Sequence, residues 1–102
     1  MGIEYEARVT NGHHVFTALR DTLRASAEFD VRDGAPMCLT LRFVGTPIEG
    51  QWEDALIEVN EARVYVVFYL GVRERLLEVM TKALEEAGEG GELLEPLTAR
   101  SL

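Results

Sequence analysis

Residues 63–70 read RVYVVFYL. Val64, Val66, Phe68 and Leu70 fall on one side of a period of two, and Tyr65, Val67 and Tyr69 on the other. Both sides are apolar, and the residues are β-branched or aromatic almost throughout, which suits a strand. A strand that is apolar on both faces belongs inside its sheet, with a partner along each edge. The rest of the chain has to supply those partners and cover at least one face.

Three further segments alternate. In IEYEARV, Ile3, Tyr5, Ala7 and Val9 oppose Glu4, Glu6 and Arg8, the pattern of a half-buried strand. Phe29 and Val31 oppose Glu28, Asp30 and Arg32. After the turn signal DGAP, Met37, Leu39, Leu41 and Phe43 oppose Cys38, Thr40, Arg42 and Val44. These last two runs read as a hairpin. Two segments have helical spacing instead. Asn11 is a natural N-cap for a helix over Gly12 to Ala25, in which Val15, Phe16, Leu19 and Leu23 share a face. Val72, Leu76, Val79, Met80, Ala83, Leu84 and Ala87 form a broad apolar stripe, with Glu78 and Lys82 an outward i,i+4 pair and Gly88 the expected C-cap.

The segment TPIEGQWEDALIEVN admits two readings. Thr46, Pro47 and Glu49 resemble a helix start, and Ile48, Trp52, Leu56 and Val59 then share a helical face. Against this, Gly50 in the second turn costs about 1 kcal/mol. The alternation of ALIEV, followed by Asn60 and Glu61, suits a second hairpin. The favoured reading is a loop to about Trp52 and then a strand.

The expected fold is therefore α+β: a single antiparallel sheet, order β-α-β-β-β-β-α, with two helices packed on one face. The last strand pairs beside the first, which places it inside the sheet and leaves charged strands at the edges. If residues 47–60 are helical, the order becomes a ferredoxin-like β-α-β-β-α-β plus a C-terminal helix. At 102 residues the chain is one domain, expected to span 1–88. Residues 89–102, with Gly, Pro and no clear period, are expected to form a flexible tail.

Eighteen acids against ten bases give a net charge of −8, which argues against nucleic acid and against an anionic membrane surface. A lone cysteine, Cys38, rules out an internal disulfide framework. The first residues lack an apolar leader, and no apolar run approaches the ~18 residues of a membrane span, so a cytoplasmic protein is expected.

No motif for catalysis stands out. His13 and His14 are adjacent, so they point about 100° apart on a helix and do not make a two-ligand face. They read as polar residues of a first turn, and no metal or cofactor is expected. Cys38 sits mid-strand without an activating helix end, and reads as a small hydrophobe. Glu4 and Glu6 share a strand face and have the residue types of a glycosidase pair, but a solvated edge explains them more simply. GEGG lacks the Lys and Ser/Thr of a phosphate loop.

The most informative residues are Tyr65, Val67 and Tyr69. Two helices cover only one face of a sheet, so these three form a stripe on the other, with Thr40, Arg42, Val44 and Leu56 as its extension. The expected function is a small acidic, non-catalytic protein-binding module, such as an accessory subunit or an immunity- or inhibitor-type protein that binds a basic partner. A second copy of the chain, forming a homodimer, is the other expected partner. The alternative is a small-ligand-binding regulatory domain of ferredoxin-like type. A small enzyme using His13 or His14 comes third.

Overall fold

Alternation and helical spacing partition the chain much as expected. A computed structural model describes residues 3–34, 36–45, 53–69, 71, 73–89 and 95–96. The elements are β1 (Ile3–Arg8), α1 (Gly12–Ala25), β2 (Phe29–Gly34), β3 (Cys38–Phe43), β4 (Ala55–Val59), β5 (Arg63–Phe68), α2 (Glu74–Glu86) and the two-residue β6 (Glu95–Pro96). The strands form one antiparallel sheet in the order β2-β3-β4-β5-β1-β6. β5 lies between β4 and β1, which accounts for its apolar character on both sides. The edge strand β2 carries Asp30, Arg32 and Asp33, charges that discourage pairing with another sheet.

Residues 55–59 are strand, so the helical reading of 47–60 fails there and the ferredoxin-like alternative falls with it. The physical reason is local. Ala55, Ile57 and Val59 alternate into the core, and Asn60 closes a tight turn by accepting from the Ala62 and Arg63 N–H groups at 2.9 and 2.8 Å. Thr46, Pro47 and Glu49, which resemble a helix start, lie outside the described residues. Asp54 extends the pairing of β4. Its N–H donates to the Leu41 carbonyl at 2.7 Å, and its carbonyl accepts from Tyr69 N–H at 3.1 Å. Its buried carboxylate accepts from Phe43 N–H at 2.8 Å.

Both helices pack on one face. Val64, Val66 and Phe68 of β5 share this face with Ile57 of β4 and Leu39 and Leu41 of β3, and all are fully buried together with Val15, Leu19, Leu23, Leu76 and Met80 from the helices. Tyr5 packs edge-on to Phe68 with ring centres 5.8 Å apart, and Phe29 meets Phe43 at 6.0 Å. Val72 lies outside the described residues, and α2 begins two residues later, at Glu74. Its outward Glu78 pairs with Arg75 at 3.5 Å, an i,i+3 contact, where pairing with Lys82 was expected.

Two long-range contacts hold α1 in place. Asn11 Oδ1 accepts from the His14 N–H at 3.2 Å, as an N-cap should. No acidic residue stands in the first turn of α1. The missing carboxylate comes from beyond α2. Gly88 takes φ +81°, its N–H donates to Glu85, and the Glu89 N–H donates to Leu84. This helix ending, closed by a left-handed glycine, leads directly to Glu89, whose carboxylate accepts from Thr10 N–H at 2.8 Å and Asn11 N–H at 3.2 Å. Negative charge at that helix start is favourable. Gly12 is the second contact. A Cβ there would run into the backbone carbonyl of Asn60, so only glycine lets α1 approach the β4–β5 turn this closely.

Candidate functional site

The strand register defines the face turned away from the helices. Tyr65 stands between Glu58 of β4 and Glu6 of β1, and Val67 between Leu56 and Glu4. One strand further, Thr40 lies beside Leu56 and Cys38 beside Glu58. Tyr65, Val67, Tyr69, Leu56, Thr40 and Cys38 are all partly exposed, in contrast to the sealed opposite face. The sheet thus brings Tyr65, Val67, Leu56 and Thr40 together as the alternation implied. Arg42 sits toward the β2 edge, opposite Asp30. Val44 does not join the stripe. It is 55% exposed, and it lines a separate depression with Glu28, Arg73 and Arg75.

The stripe is bordered by carboxylates. A depression of ≈ 220 Å³ is lined by Glu4, Leu56, Glu58, Tyr65 and Val67. Glu58 and Tyr65 also wall a neighbouring one of ≈ 310 Å³ that reaches Met37, Cys38 and Asn60. Glu6 is buried to 6% exposure and lies 3.6 Å from the Arg63 guanidinium, which also donates to the Tyr65 hydroxyl at 3.3 Å. The acidic field is felt by its neighbours. Burial, then Glu53, then Cys38 and Glu58 push the Tyr69 hydroxyl above its ordinary pKa. Burial, then Glu58 and Glu53, push the Cys38 thiol up as well, which lowers its thiolate fraction and its reactivity.

The groups considered for catalysis are dispersed. His13 and His14 are exposed in the first turn of α1, in the helical layer, whereas Cys38 is on the opposite face of the sheet. The His13 carbonyl accepts from the Thr17 hydroxyl at 3.1 Å. Among the described residues no group of three or more His, Cys, Asp or Glu side chains is placed to hold a metal ion, and no helix is long and apolar enough to cross a membrane. Glu4 and Glu6 share a face, as their spacing requires, but Glu6 is engaged by Arg63.

A larger depression, ≈ 660 Å³, lies between the helices. Its charged lining is mixed, Asp21, Glu78 and Glu86 against Arg75 and Lys82, and Arg75 is already held by Glu28 at 2.8 Å. It offers no preference for one sign of charge. The sequence reading passed over Glu58 and Glu53. The signal for Glu58 was present, since a period of two puts it on the same face as Leu56. Comparison with protein-family models, with curated proteins and with solved structures finds no match.

Proposed function

We propose that this chain is a non-catalytic protein-binding module. Its contact surface is the sheet face away from the helices, centred on Tyr65, Val67 and Tyr69, with Leu56 and Thr40 beside them and Arg42 at the rim. The observation that carries this reading is the half-exposed apolar stripe of β4 and β5 set among carboxylates. Tyrosines at such a place contribute contact area at low entropic cost and are enriched where proteins meet. The net charge of −8 favours a basic partner, because opposite fields speed encounter and exclude wrong partners. The regulatory-domain alternative loses the ferredoxin-like architecture that favoured it. The enzyme alternative has its histidines and its cysteine on different layers.

Selection from a displayed peptide library tests the reading. Peptides retained by the wild-type chain should be rich in Lys and Arg. They should be lost on a chain carrying Tyr65→Ala and Tyr69→Ala, provided that its denaturation transition stays cooperative. Peptides held equally well by both chains would place the contact elsewhere and end this reading.

A further inference from the structure

Charges on the outer face differ in whether they are already engaged. Arg32 and Arg42 have interactions within the chain, and Arg63 is shared between Glu6 and Tyr65. Glu4 and Glu58, by contrast, form no ion pair among the described residues. They face each other diagonally across the depression whose floor is Leu56, Tyr65 and Val67. Two strand spacings separate their backbones laterally, about 10 Å. The depression measures ≈ 220 Å³, below the roughly 300–1,000 Å³ of small-molecule sites, and is of a size for one long side chain.

An apolar floor between two carboxylates selects a particular chemistry. A neutral apolar side chain would strip water from Glu4 and Glu58 and return nothing to them. An anionic one would be repelled. An arginine or lysine lays its methylene stem on apolar surface and keeps its charge at the polar rim, and the Tyr65 ring adds attraction for a cation over its face. A second copy of this chain is poorly suited, because it brings its own Glu4 and Glu58 while Arg32, Arg42 and Arg63 of the same face are engaged, which among the described residues leaves Arg8, at the end of β1, against two carboxylates.

We infer that the depression between Glu4 and Glu58 receives an arginine or lysine side chain from a basic partner protein, its stem on Leu56 and Val67 and its charge between the two carboxylates. This inference rests on the outer face being a protein-binding surface. It is tested with three blocked pentapeptides of β-branched residues that differ only at the centre, which is arginine, citrulline or glutamate. Each is titrated into the isotope-labelled full chain and followed by amide shifts.

The arginine peptide should perturb Leu56, Tyr65 and Val67 and bind about 3- to 10-fold tighter than the citrulline peptide, as expected for one or two exposed charge pairs. High salt should close the gap, and so should Glu4→Gln with Glu58→Gln, with citrulline affinity unchanged. Citrulline binding as tightly at the same residues would overturn the inference and leave the outer-face reading standing. So would a dimeric mass that Tyr65→Ala abolishes, since a second copy would then be the occupant. No perturbation of this face by any of the three peptides also overturns it. The outer-face reading then falls only if the library selection fails as well.

Discussion

β5 shows the same apolar alternation to both faces of the sheet, and the two faces have opposite fates. Val64, Val66 and Phe68 are fully buried under the helices. Tyr65, Val67 and Tyr69 remain partly exposed. Periodicity alone does not distinguish them. What separates them is the company the other strands bring. The inner face receives Leu39, Leu41 and Ile57, while the outer receives Glu4, Glu6 and Glu58. An amphipathic helix cannot bury its stripe against carboxylates without leaving charges unsolvated, so the helices go to the face without them. Apolar residues on the acidic face are left available to something that tolerates charge.

Mutation can break this contrast. Phe68→Ala removes a fully buried ring that packs edge-on to Tyr5, and should cost about 3–5 kcal/mol in denaturant unfolding. A loss no larger than that of an outer-face substitution would mean the inner face is not the core. Gly12→Ala tests how α1 is held over the inner face. The collision with the Asn60 carbonyl should place the cost near the top of the ~1–3 kcal/mol range for overpacking, whereas Ala is ordinarily the better helix former. A gain in stability would show that α1 can move aside.

The Glu89 contact can be isolated by Glu89→Ala in the full chain, which keeps the backbone bond to Leu84. The variant loses the carboxylate on Thr10 and Asn11 and should be less stable by about 1 kcal/mol, the usual worth of a cap. Equal midpoints would assign the cap no role. On the outer face, Tyr65→Ala should cost about 1 kcal/mol or less, the span of strand propensity. Calorimetry that finds a core-sized loss would turn Tyr65 into a core residue and remove the contrast. The smallest effect concerns Cys38. Because its thiol pKa is raised by burial, Glu58 and Glu53, alkylation should reach half-maximal rate at higher pH than for free cysteine, and Glu58→Gln should shift that point down.

Much of this was legible in the residues. Asn11 and the spacing of Val15, Leu19 and Leu23 gave α1 its observed bounds, because cap and stripe agree. The order of the five longer strands followed from the two-sided apolarity of β5, whereas the pairing of Glu95–Pro96 outside β1, in a stretch expected to be tail, did not. Residues 46–52 lie outside the described residues, but the strand at Ala55–Val59 had been readable in its alternation. The long-range polar contacts were not readable. Nothing near Glu89 announces Thr10, and nothing near Glu6 announces Arg63, since such pairings depend on register and packing between distant segments. The period of two grouped Tyr65, Val67 and Tyr69 on one face. The acidic border of that face was not legible, because only the register shows that Glu4, Glu6 and Glu58 surround Tyr65 and Val67.

The Glu89 carboxylate meets Thr10 across 79 positions of sequence, and β1 has its main partner in β5. A chain emerging amino terminus first from a ribosome must therefore hold β1 in waiting. Ala7 and Val9 have no strand to lie against until Arg63–Phe68 appears, and the start of α1 lacks its carboxylate until Glu89 follows. At synthesis rates of ~5–20 residues per second, that interval is on the order of several seconds. Through it Val15, Leu19 and Leu23 lack the cover that α2 gives α1, which makes this segment of the nascent chain a natural client for whatever shields apolar surface at the tunnel exit.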